Sequence, residues 1–140
     1  MVLKVGNKVA VMWLGEMKMM DKPFAKFPVY QQALIAAKKV NLLCKRINSR
    51  EFCFLKDQLR RAASSIVLNI AEGSGKWTKK DKINFYRIAR ASAHECSGAL
   101  DLIIVYQLAN EDNIKLYKRE FERIAGDLQA MIFSIERRKI

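Results

Sequence analysis

Four stretches of this chain place apolar residues at alternating steps of three and four. A 3.6-residue turn gathers such residues into one stripe that must be buried, so the spacing points to amphipathic helices. From Pro28 the first stripe reads Tyr30, Ala33, Leu34, Ala37, Val40, Cys44 and Ile47, until "NSREF" at 48–52 breaks it. The second helix is predicted from about Phe54 to Glu72, with Leu55, Leu59, Ala62, Ala63, Ile66 and Ile70 inward. Thr78 followed by Asp81 is an acidic variant of a capping box, so the third begins just after Thr78. Its inner face reads Phe85, Ile88, Ala89, Ser92, Cys96, Ala99 and Ile103. After "NEDN" a fourth is predicted from about Ile114 to Arg137, with Tyr117, Phe121, Ile124, Leu128, Met131 and Ile135 inward. Four helices on short connections predict an all-α fold, an antiparallel up-down-up-down four-helix bundle over 23–140. The 140 residues suffice for one such core.

Residues 1–22 do not share the pattern. "LKVGNKVAVMW" would make a hairpin around Gly6-Asn7, but nothing nearby would pair its edges. Gly15-Glu16 implies purine-rich codons of the kind found in bacterial ribosome-binding signals, and three methionines follow. The expectation is an atypical extension or flexible tail, with the natural start at Met17, Met19 or Met20.

Lys and Arg outnumber Asp and Glu by 26 to 14, a net charge of +12. The surplus is uneven: no acidic residue occurs between Lys22 and Arg50, whereas acids and bases balance from Asp101 onward. A concentrated positive charge is suited to a polyanion, because each phosphate neutralised releases condensed counterions. The basic residues Arg60, Arg61, Lys76, Lys79, Lys80, Lys82, Arg87 and Arg90 are predicted to gather around one helix–helix corner, with Trp77 and Tyr86 among them to stack on bases. Of these, Arg60, Arg61, Lys76, Trp77, Lys79, Lys80, Arg87 and Arg90 are the candidate nucleic-acid-binding residues. No motif for reading base sequence is present, so phosphates and shape would drive binding to RNA or DNA.

Catalytic chemistry finds little support. "EGSGKWT" imitates a phosphate-cradling loop, yet Ile70 stands where the first Gly belongs and Trp77 where the hydroxyl belongs. The segment reads better as a helix end with Gly73 at C′, a turn, and Thr78 capping the next helix. "HECSG" has Gly98 in place of the second metal-binding histidine, and His94 is the single histidine of the chain. Cys44, Cys53 and Cys96 form no C-x-x-C pair and read as reduced cytoplasmic thiols packed as small hydrophobes. No metal site, cofactor motif, signal peptide or membrane span is recognised. Ser64, Ser65, Asn69, Glu72, Ser92 and Glu95 lie on or near facing helix surfaces. Asn69, Glu72, Ser92 and Glu95 are expected to form a structural polar network; a hydrolase acting through Glu72 and Glu95 is the weaker alternative.

"LDLIIVYQLA", Leu100–Ala109, carries apolar residues around its whole circumference, which an outer helix of a monomer should not do. Ile103, Ile104, Tyr106 and Leu108 are therefore predicted to form an oligomer interface.

The middle of the chain resembles a bacterial four-helix-bundle family. That family comprises proteins encoded by intervening sequences in large-subunit ribosomal RNA genes and the accessory variability proteins of diversity-generating retroelements. The matching features are Gln58-Leu59-Arg60-Arg61, Ser65-Ile66, Asn69-Ile70-Ala71-Glu72-Gly73, and Ala89-x-x-Ser92-x-x-Glu95. The resemblance runs from about Phe27 to the C-terminus. It implies a non-enzymatic homopentamer with a basic surface; in the retroelement branch it implies association with a reverse transcriptase and its template RNA and DNA. Family members usually carry Gly where this chain has Ala91, which implies an outward shift of the third helix or a smaller facing residue. The resulting reading is a cytoplasmic nucleic-acid-binding accessory subunit of a retroelement reverse transcriptase. The alternative is a protein-interaction scaffold of the intervening-sequence branch.

Overall fold

The computed structural model describes residues 23–138. The expectations for 1–22, including the alternative starts and the hairpin, lie outside the described residues. A 3₁₀ turn at Pro23–Lys26 leads into α1 (Pro28–Arg46), α2 (Cys53–Ser74), α3 (Lys79–Val105) and α4 (Glu111–Arg137). The described residues include no strand, and no helix among them is long and apolar enough to cross a membrane.

Local chemistry sets the boundaries. Pro28 suits the first turn of α1, where a missing N–H costs nothing. The Thr78 side chain accepts the Asp81 N–H at 3.1 Å, and Asn110 accepts that of Asn113 at 3.2 Å, so each opens its helix as an N-cap. Lys56 donates to the Ile47 carbonyl at 2.9 Å beyond α1, and Lys82 donates to the Ser74 carbonyl at 3.0 Å at the end of α2. Both place a cation where a helix leaves its carbonyls unpaired. At the end of α3, Leu108 N–H bonds to the Ile103 carbonyl and Gln107 N–H to that of Ile104. These are the two bonds of a Schellman motif, with Gln107 in the left-handed position at φ 57°.

Contacts between helices fix their order. Arg60 reaches Asn41 while Lys56 reaches Ile47, so α1 and α2 run antiparallel. Ser65 meets Ser92 and Gly73 meets Tyr86, so α2 and α3 do too. Lys118–Asp101 and Arg87–Glu136 do the same for α3 and α4. Lys39–Glu120 joins α1 to α4 and closes the ring, at the thinnest of the four seams. An up-down-up-down order fits these contacts. The core inside is fully buried: Val40, Leu59, Ile66, Ile70, Leu100, Ile103, Ile114 and Leu128 show no exposed surface.

The structure alters several expectations. The inner stripe of α3 runs through Ile83, Tyr86, Ala89, Ala93, Cys96, Leu100 and Ile103, while Ile88 is exposed and Phe85 half-buried. Tyr86 therefore cannot stack on a base; burial pushes its phenol pKa up, against a smaller opposing effect of Arg138. Gly73 is not a C′ residue. It lies inside α2, and a Cβ there would sit 2.8 Å from Tyr86 Cε1, so its missing side chain lets the tyrosine ring close on the backbone. Cys44 and Cys96 are buried as expected, but Cys53 is exposed in the first turn of α2. Ala91 is exposed, so its methyl pushes nothing outward.

Candidate nucleic-acid interface

The connection between α2 and α3 is four residues long, and Trp77 projects from it 98 % exposed. Thr78 must be extended to cap α3, which leaves Trp77 at the tip with no core to enter. Lys76 and Lys80 flank it, but most cations of this corner are already engaged. Lys76 pairs with Glu72 at 3.1 Å and lies 5.1 Å from the Phe85 ring centroid. Lys79 donates to the Arg138 carbonyl, Lys82 to Ser74, and Arg87 pairs with Glu136 at 3.1 Å. Lys80 and Arg90 have no ion-pair partner among the described residues.

Arg60 and Arg61 do not belong to this corner. Arg61 lies twelve residues before Gly73 in the same helix, about 18 Å away along its axis. Arg60 donates to Asn41 at 3.2 Å, and Arg61 lines a shallow depression with Ser64, Ser65 and Leu68. The eight sequence-predicted binding residues thus form two groups: Trp77 with the lysines at the hairpin end, and the two arginines midway along α2.

The polar network exists in part. Ser65 Oγ and Ser92 Oγ are 2.8 Å apart, and Asn69 donates to Ser65 Oγ at 3.0 Å and to the Ser65 carbonyl at 2.8 Å. Glu72 and Glu95 are not members: Glu72 holds Lys76, and Glu95 accepts from Gln58. Gln58 precedes Glu72 by fourteen residues in α2, so the two carboxylates stand roughly 21 Å apart along the bundle. They do not form an acid–base pair. Among the described residues no group of three or more His, Cys, Asp or Glu side chains could hold a metal.

The expected oligomer surface also changes. Ile103 is fully buried within the chain's own core, and Ile104 and Leu108 pack against that core. The apolar side chains that face outward here are Leu102, Val105 and Tyr106, the last with its ring centroid 4.8 Å from that of Phe52 and the two planes tilted by 31°. Phe54 extends the same surface. The error has a simple source: an all-round apolar segment does not show which of its sides the core takes.

A further group was not legible in the sequence. Between the end of α1 and the start of α4 lies a cleft of about 770 Å³, lined among others by Lys39, Arg46, Arg119 and Asn113. Its residues come from positions up to 81 apart, and no local motif announces them.

These features define an all-helical bundle protein whose first helix carries cations and no acid, and whose facing carboxylates do not converge. The chain belongs to the family of 23S rRNA-intervening sequence proteins, whose family model matches residues 25–130. Among solved structures, it is similar to a protein of unknown function from the S23 ribosomal protein family of Bacteroides thetaiotaomicron VPI-5482. The identity is 25 %, the TM-score 0.70, and the match covers 74 % of this chain and 97 % of that one. No curated protein matches the chain. The retroelement link rests on the sequence resemblance alone.

Proposed function

We propose that this protein is a non-enzymatic, oligomeric bundle that binds nucleic acid through phosphate contacts in the cytoplasm. Its finer role would be that of an accessory subunit, assembled as a homopentamer, that organises template RNA for a retroelement reverse transcriptase. The observation carrying this reading is the charge of α1: Lys38, Lys39, Lys45 and Arg46 with no acidic residue in the helix. Glu120 of α4 holds Lys39, while Lys45 and Arg46 repel each other and neighbouring cations, a cost that a polyanion removes. Exposed Leu102, Val105 and Tyr106 support the oligomeric part, since apolar side chains clustered on one face favour burial against another copy.

The test is a salt titration of binding to structured RNA and to duplex DNA with the purified full chain. Phosphate-driven binding predicts a linear fall of log K with log salt, whose slope counts the contacts. No binding even at low salt would leave the scaffold reading, in which the basic face meets an acidic protein. Co-purification with a reverse transcriptase, or its failure, tests the finer role.

A further inference from the structure

The α1–α4 seam opens at both ends, beside Tyr86 and between the end of α1 and the start of α4. The cleft there is of the size that small ligands and single nucleotides occupy. It lies at the opposite end of the bundle from Trp77, because α1 ends there and α4 begins there. Three cations line it against one carboxylate, and Lys39 already holds that carboxylate, Glu120. Arg46 and Arg119 are exposed and have no ion-pair partner among the described residues. Their guanidinium forks are therefore available to phosphate oxygens. Leu116, more than half exposed, and Tyr117 supply an apolar and aromatic wall. Asn113 lines the same space, and its side-chain amide has no hydrogen bond among the described residues.

We propose that this cleft takes an unpaired nucleotide of single-stranded RNA, its base against Leu116 and Tyr117 and its flanking phosphates on Arg46 and Arg119. The inference rests on the nucleic-acid reading above and moves the principal contact away from the hairpin corner, where carboxylates or backbone carbonyls already engage most cations. A duplex keeps its base faces stacked, whereas an unpaired base offers a face to an aromatic wall and an edge to an amide. The combination of guanidinium, aromatic ring and free amide matches that ligand.

The experiment measures anisotropy of a fluorescein-labelled oligouridylate across a salt series. It uses the wild-type chain, the cleft variant Arg46→Gln/Arg119→Gln, and the corner variant Lys80→Gln/Arg90→Gln. Each phosphate contact to a single strand contributes about 0.7 to the slope of log K against log salt. The cleft variant should therefore lose about 1.4 of that slope, and the corner variant should keep it. Tyr117→Leu should weaken binding about tenfold with the slope unchanged, as removal of a stacking partner does. Helical circular dichroism monitors folding of each variant. A slope lost only in the corner variant would overturn the cleft assignment and leave the proposed function standing. A wild-type chain that binds no RNA at low salt would overturn both. Displacement of the oligouridylate by poly-glutamate as effective as that by unlabelled RNA of equal charge would also overturn it, because the cleft would then be reading charge alone.

Discussion

Ser65 Oγ and Ser92 Oγ lie 2.8 Å apart, bridging α2 and α3 where Ser92 is a buried polar residue in an otherwise apolar layer. Asn69 completes the cluster from one turn further along α2. Ser92→Ala should destabilise the fold by about 1 kcal/mol, the net worth of one such hydrogen bond. Ser65→Ala should cost a similar amount, and the double variant less than the sum, since both remove the same bond. Urea denaturation of the three variants measures this; strict additivity would mean that the hydroxyls act independently.

Gly73 sets two effects against each other. Alanine there would gain about 1 kcal/mol of helix propensity. It would also force a Cβ to 2.8 Å from the Tyr86 ring, which is itself held in the core, and overpacking of this kind costs about 1–3 kcal/mol. The steric term should win, lowering the melting temperature of Gly73→Ala. A rise instead would show that the Tyr86 ring yields freely.

At Gln107 the balance reverses. A non-glycine residue at φ 57° bears a left-handed penalty of about 1 kcal/mol. The Schellman bonds need only backbone atoms, so Gln107→Gly should raise stability by roughly that amount in thermal melts.

Alkaline pH should weaken the bundle. Burial pushes the Cys96 thiol from the ordinary 9.0 up to about 12, with the neighbouring Glu95 charge adding to the effect. Burial also raises Cys44, Tyr30 and Tyr86. The folded state holds the Cys96 proton while the unfolded chain releases it above pH 9. The contribution is therefore complete below that pH and is lost as pH rises toward 12. In Cys96→Ala the decline of unfolding free energy over this window should be shallower by about 1.4 kcal/mol per pH unit. An unchanged slope would remove Cys96 from the account. At pH 8 a thiol reagent should label Cys53 rapidly and the two buried cysteines only on unfolding.

Assembly has a clean probe in Val105, 69 % exposed at the end of α3. Val105→Asp should lower the mass seen by light scattering without changing helical content. Ile104 is a poorer choice, because it packs on the core and its replacement would confound unfolding with dissociation. A wild-type oligomer mass retained in Val105→Asp would exclude this surface from the contact.

The sequence was most legible where the physics is local. Thr78 and Asp81 announced the start of α3 because an N-cap acts across three residues. Leu55, Leu59, Ala62, Ala63, Ile66 and Ile70 all became core because the stripe of α2 has a single clear phase. In α3 the apolar residues allow two neighbouring phases, and Tyr86 rather than Ile88 took the interior. The tyrosine hydroxyl suggested surface, yet a phenol can sit in a core with its oxygen toward a cleft, as Tyr86 does beside Met131 and Arg138. Charge pairing followed the same division. Glu72 with Lys76 is one helical turn, but Arg87 with Glu136 joins distant helices, so the corner looked more positive than it is.

The placement of the described chain's two ends has a practical consequence. Phe27 and Arg138 line the same cleft beside Tyr86, so α1 enters and α4 leaves at the hairpin end of the bundle. A short linker could join them, and a new break at 48–50, between α1 and α2, would then yield a circular permutant with every helix intact. Tags or fluorophores fused directly before Phe27 or after Arg138 would start at the end of the bundle away from Arg46 and Arg119, leaving that cleft unobstructed for measurement.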